Sequence, residues 1–266
     1  MKIKKNMKLG LSYNVFDGEE LLEGSIKQIR GEVDYISVVY QTVSNFGHSC
    51  DENLILLLED LKSSGLIDET YKYTPTDIVG STNELKKRNI GLELSIKNGC
   101  THHMSIDTDE YYNIDEFRNM KKIVTDGDYD SSVCQMITYY NKPIYRIEPK
   151  ETYYVPLIYK IRKNVLFGKN KFPVIVDPTR KMEPGNCKIF TREEIEMHHL
   201  SYVRNNIFKK LNNSSAKKNF ESEISFLVDY FNSWEYGKKA LMPGRPCKYY
   251  DVVEVENKFN IKLKNG

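Results

Sequence analysis

A chain of 266 residues with 39 Lys and Arg against 37 Asp and Glu carries a formal net charge of only +2. That excludes a global attraction to nucleic acid or to an anionic membrane surface, so affinity for a phosphorylated ligand has to come from a local site. Hydrophobic residues at 40% and charged residues at 29% exclude a largely disordered chain and leave enough apolar material for a continuous core. No run approaches the roughly 18 apolar residues of a membrane helix, and the start lacks the pattern of a signal peptide. The five cysteines (Cys50, Cys100, Cys134, Cys187, Cys247) are odd in number, widely spread and without a CxxC pair. They indicate neither a disulfide framework nor a zinc knuckle. The expectation is a folded cytoplasmic protein, with any membrane attachment peripheral and no nucleic-acid partner.

In chain order, Lys8 to Tyr13 reads as a strand. Leu21, Leu22, Ile26 and Ile29 then recur at a helical period after the capping signal Asp17-Gly18-Glu19-Glu20. Asp34 to Tyr40 is β-branched and aromatic, the composition of a buried strand. Asp51 to Ser63 predicts a helix stopped at Gly65, Thr70 to Tyr73 a strand, and Ser81 or Thr82 the cap of a helix ending at Asn98-Gly99. Thr101 to Ile106 is a short strand that runs into Asp107-Thr108-Asp109-Glu110, so the acidic cluster sits at a carboxyl strand end, where open α/β sheets bind ligands. Ile114 to Thr125 is helical. Beyond it the alternation lapses: Ser132 to Tyr140, Thr152 to Lys160 and Phe172 to Val176 predict strands, Arg192 to Leu211 and Glu221 to Trp234 predict helices, and Val252 to Val255 predicts a strand.

Two carboxylates at i and i+2 can turn their oxygens toward one hard cation such as Mn²⁺ or Mg²⁺, leaving coordination positions open for phosphate oxygens. The sequence adds context: a Ser-Tyr-Asn strand with acidic residues after it (Ser12, Tyr13, Asn14, Asp17, Glu19), then KRNIGLELSIKNG, then SIDTDEYY. Over residues 7 to 125 this order resembles family 2 glycosyltransferases and related GT-A enzymes. The resemblance implies an α/β fold of GT-A type, a Rossmann-like nucleotide-diphospho-sugar transferase with a mixed sheet flanked by helices and a helical C-terminal part. It also implies that Tyr13, Asn14, Asp17, Gln41, Arg88 and Asp107 bind the nucleotide sugar, with a UDP-sugar favoured. Gln41 stands where the family often has Asp, and a carboxamide can read a base edge by hydrogen bonding.

The metal, Mn²⁺ or Mg²⁺, is expected on Asp107 and Asp109. One of His198 and His199 completes its shell, because many GT-A enzymes carry a histidine well after the acidic motif. Asp177, after the strand candidate FPVIV, and Glu194 or Glu196 are the carboxylates available as a base for an acceptor hydroxyl on a glycan, protein or lipid. The segment Lys181 to Lys188 is a candidate lid, and Tyr111, Tyr112 and Trp234 are candidate sugar platforms, with the core as their other reading. Cys100, His102 and His103 offer a zinc reading that requires ligands from a second segment. The expected division is a nucleotide-sugar half over 1–126, an acceptor-binding and metal-completing half over 127–236, and a tail over 237–266. The alternatives are a non-catalytic nucleotide-sugar-binding module and a phosphotransferase that uses the same two aspartates.

Overall fold

The computed structural model describes residues 6–77 and 79–263. The start at 1–5, on which the expectation about export partly rests, lies outside the described residues, as do Ile78 and 264–266. Among the described residues no helix is long and apolar enough to cross a membrane.

The first half alternates as its periodicities require. Strands β1 (Leu9–Val15), β2 (Tyr35–Tyr40), β3 (Glu69–Lys72) and β4 (His102–Asp107) pair in parallel in the order β3-β2-β1-β4. Helices α1 (Glu19–Ile29), α2 (Asn53–Ser63) and α3 (Gly80–Lys97) connect them. β1 is buried at every position because both of its faces are covered, which is why it shows no in-out alternation. Two glycines set the local geometry. A Cβ at Gly91 would meet Ser12 Oγ at 2.1 Å, so α3 lies directly against β1. Gly18 has φ +82°, and a Cβ there would meet Arg204 Nη1 at 2.2 Å and Thr108 Oγ1 at 2.3 Å. Only glycine suits both demands.

After a two-residue turn come β5 (Glu110–Tyr111) and α4 (Ile114–Asp126), the latter capped by the Asn113 side chain, which accepts from the backbone N–H of Asp115 and Glu116. The rest of the sheet is mixed. β8 (Tyr154–Lys160) runs antiparallel to β4 and to β6 (Ser131–Tyr140). β6 also pairs antiparallel with β7 (Tyr145–Glu148) and parallel with β9 (Cys187–Ile189) and β10 (Glu196–Tyr202). β12 (Lys248–Glu254) continues the sheet from β7, with β11 (Ala240–Met242) beside it. Residues of α5 (Ile207–Asn213) and α6 (Ile224–Asn232) pack around Tyr140, Trp234 and Leu241 in a cluster of their own. The chain thus forms the mixed sheet flanked by helices that the resemblance to GT-A enzymes implies, with the short helices α5 and α6 in its C-terminal part.

Four sequence expectations differ from the structure. The helix expected over Arg192 to Leu211 is β10 followed by α5. β10 is sandwiched between β6 and β5, so Met197, His198, Leu200 and Ser201 are all buried and no period of two survives. The strand expected over Phe172 to Val176 is reduced to a single bridge from Val176 to Tyr154. The cap expected at Ser81 or Thr82 is unused, since α3 begins at Gly80 with no side-chain cap. The candidate lid is packed in place: Met182 is buried beside Phe167 and Tyr159, and Pro184 O accepts from Ser131 Oγ.

His103 and His198 are both buried neutral. Burial, aided by Arg88, pushes His103 down to about 3, and burial, aided by Lys258, pushes His198 to about 3. With folded pKa values below the unfolded 6.5, the unfolded state binds more protons as pH falls, so stability is full above about 6.5 and is lost below it. Each histidine is expected to remove about 2 kcal/mol between pH 7 and pH 5. Thermal melts across that range check this; a melting temperature unchanged from pH 7 to pH 5 would contradict it.

Candidate active site

The carboxyl ends of β1, β2 and β4 open into a cleft walled by α3 on one side and by β10 and α5 on the other. Asn14 and Asp107 are register partners on β1 and β4, so the two face the cleft side by side. Both amide atoms of Asn14 are buried without a partner. Gln41 follows β2. Its backbone N–H binds Val15 O at 3.0 Å, its Nε2 donates to Val43 O at 2.9 Å, and its buried Oε1 accepts nothing. Leaving buried carboxamide atoms unmatched is costly, and here the orphans lie on a ligand-sized cleft.

The two aspartates meet different cations. Asp107 accepts from Arg88 Nη2 at 3.3 Å on both oxygens and from Arg180 Nη2 at 2.6 Å. Burial alone would raise its pKa, but Arg180 and Arg88 outweigh burial and hold it at about 2. Asp109 accepts from Arg204 Nη2 at 2.5 Å and from Lys210 Nζ at 3.2 Å, with His199 Nε2 3.7 Å from its other oxygen. Against burial, Lys210 and Arg204 push the Asp109 carboxyl well below the usual range. Both carboxylates are therefore ionised at neutral pH.

Arg180 organises the floor. It pairs with Glu110 through both terminal nitrogens, with Asp107, and with Asp177 at 3.4 Å. Arg88 adds Ser105 Oγ at 2.8 Å and Thr179 Oγ1 at 3.3 Å. Asp177 caps the short 3-10 turn Pro178–Arg180 by accepting from Thr179 N at 2.7 Å and Thr179 Oγ1 at 2.8 Å, and it also lines the cleft.

Among the sequence candidates, Asn14, Asp17, Gln41, Arg88, Asp107, Asp109, Asp177 and His199 come together in the cleft wall. Tyr13 does not: it alternates with Asn14 along β1, points into the core and shares a 2.9 Å hydrogen bond with Ser25. His198 faces away from His199, with Nδ1 2.8 Å from Tyr139 Oη and Phe259 packed edge-on. Glu194 lies outside the cleft wall, where it accepts from Lys188 Nζ and from the backbone of Thr191. Glu196, on β10, pairs with Lys150 and Arg192. Tyr111, Tyr112 and Trp234 are buried in the core. His103 is taken by Ser95, at 2.9 Å, and His102 by Thr101. Glu84, Arg180, Arg204 and Lys210 also stand at the site, and nothing in their local sequence pattern separates them from surface charges.

The donors in the cleft fit a hard divalent cation chemically. Asp107 and Asp109 are ionised, and burial pushes the His199 imidazole down to about 4, keeping it neutral, with its buried Nδ1 unpartnered. Among the described residues no trio of His, Cys, Asp or Glu stands in ready ligating geometry. Lys210 and Arg204 share one Asp109 oxygen, so a metal that uses it must compete with them, while the other oxygen faces His199.

No family model matches the chain, and no curated protein sequence matches it. Among solved structures it is similar to S. aureus TarS 1-349 in complex with UDP, at 19% identity over 50% of this chain and 36% of that one, TM-score 0.37. It is similar to S. aureus TarS 1-349 at 14% identity, over 85% of this chain and 73% of that one, TM-score 0.47. A third similar structure is GalNAc-T7 with UDP, GalNAc and Mn²⁺, at 10% identity over 87% of this chain and 52% of that one, TM-score 0.43. The chain thus spans only about a third of the length of the first of these.

Proposed function

We propose that the cleft binds a nucleoside diphosphate sugar and that the chain transfers the sugar to a hydroxyl acceptor on a glycan, protein or lipid. The observation that supports this most is the convergence of Asp107, Asp109 and His199 at the end of β4 with the unpartnered carboxamides of Asn14 and Gln41 at the ends of β1 and β2. Hard oxygen donors at the end of β4 stand beside hydrogen-bonding groups suited to a base edge at the ends of β1 and β2. In this reading residues 1–126 supply the donor site, 127–236 complete it and face the acceptor, and 237–266 pack on the domain.

Asp107, Asp109 and His199 would hold Mn²⁺ or Mg²⁺, which when bound neutralises negative charge on the leaving diphosphate. Arg88 and Arg180 fix the orientation of Asp107. Gln41, with its amide nitrogen already committed to Val43, offers the base an acceptor oxygen. Asp177, held by Thr179 at the cleft wall, is the carboxylate placed to take the acceptor proton. Glu194 and His198, outside the cleft, have no part in this reading.

Incubation with UDP-, GDP- and dTDP-sugars and Mn²⁺ is expected to give slow release of nucleoside diphosphate from one donor class, even without acceptor. Absence of both release and donor binding, with either metal, would overturn the proposal.

A further inference from the structure

Helix α3 carries a cation that no carboxylate neutralises at close range. Lys87 is 5% exposed and lines the cleft. The other cleft cations are engaged, Arg88 with Asp107 and both Arg204 and Lys210 with Asp109. Among the described residues Lys87 Nζ has no ion pair and no hydrogen bond. Glu84 and Asp107 act on it only from a distance, and burial pushes its pKa down. An ammonium group largely withdrawn from water without a partner destabilises the folded state.

Its position follows from the packing. Gly91 is the point where α3 touches β1, against Ser12. Lys87 is one helical turn earlier on the same face, and Asn14 lies two residues beyond Ser12 on the same face of β1. Because α3 runs back toward the start of β4, the earlier turn of the helix overhangs the later end of the strand. Lys87 therefore stands above the cleft near Asn14, Arg88 and Asp107, all of which line it.

We propose that Lys87 is the positioning cation for the donor's diphosphate, donating ammonium hydrogens to its phosphate oxygens. This rests on the reading of the cleft as a nucleoside diphosphate site. A phosphate oxygen supplies the acceptor that the folded chain withholds, and charge-assisted hydrogen bonds of this kind are among the stronger ones.

The test uses the full chain, titrating wild type, Lys87→Met and Lys87→Arg calorimetrically with UDP, GDP and dTDP, with and without Mn²⁺. Binding of the matching nucleoside is followed by saturation-transfer NMR. Lys87→Met is expected to lose about ten- to a hundredfold in affinity for the preferred diphosphate, with nucleoside binding unchanged and a melting temperature equal to or above that of wild type. Lys87→Arg is expected to recover part of the loss. Wild-type diphosphate affinity in Lys87→Met would overturn the assignment while leaving the cleft reading intact. So would equal loss of nucleoside and diphosphate together with a lowered melting temperature, which would mark a structural lysine. Failure of wild type to bind any of the three diphosphates would instead overturn the reading of the cleft itself.

Discussion

Asp109→Asn is expected to lower donor turnover by roughly a hundred- to a thousandfold. Asn keeps the shape of the side chain and removes its charge. Asp109 is a buried carboxylate shared by Arg204, Lys210 and the neighbouring His199, so it is the point where a divalent cation and the chain's own cations compete. The variant leaves Arg204 with the 3.8 Å contact to Glu20 as its remaining ion pair, beside its bond to Ser201 O, and leaves Lys210 without a charge partner there. Its melting temperature should therefore fall as well, because removing one member of a buried pair strands the other. Release of nucleoside diphosphate against Mn²⁺ concentration separates the two effects: the half-saturating Mn²⁺ concentration should rise even in the fraction that remains folded. A variant with the wild-type Mn²⁺ dependence would contradict the role given to Asp109.

Arg180→Met has the largest expected effect on stability. Its guanidinium is buried and serves Glu110, Asp107 and Asp177 at once. Truncating it leaves the Glu110 carboxyl, which burial already pushes up to about 7, almost wholly buried with no counter-charge, and breaking a buried pair in this way typically costs about 3–5 kcal/mol. For a domain of this size that corresponds to a fall in melting temperature of roughly ten degrees. The double variant Arg180→Met/Glu110→Leu removes both charges and should recover much of the loss, because the two side chains interact directly. Thermal melts of the two single variants and the double variant check this. Additive losses in the double variant would show that the pair does not act as a unit.

The parallel half of the sheet was legible because each of its elements carries its own signal. The helical spacing of Leu21, Leu22, Ile26 and Ile29, the apolar run of β2 and the Gly99 stop of α3 are all local. The same locality put Asp107 and Asp109 at a strand end. β10 was not legible, because a strand flanked by β6 and β5 buries neighbours on both faces and its apolar residues then mimic a helical period. The same holds for the histidines: the approach of His199 to Asp109, against the bond of His198 to Tyr139, shows which of the two faces the aspartates. The cations around the motif were hidden for a different reason. Arg180 lies 73 residues from Asp107, and Arg204 lies 95 from Asp109. Charge pairing at such separations leaves no mark in local sequence. Lys87 was in view within the Lys-Arg-Asn segment, yet only burial without a partner distinguishes it from Lys86, whose Nζ donates to Thr76 in an exposed contact.

Calorimetric titration of the wild-type chain with UDP, GDP and dTDP, each with and without Mn²⁺, tests the nucleotide-sugar site most directly. One diphosphate is expected to bind with a stoichiometry of one. Mn²⁺ should tighten that binding, and Asp109→Asn should shift the metal effect to higher Mn²⁺ concentration. No binding of any of the three diphosphates, with or without metal, would contradict it.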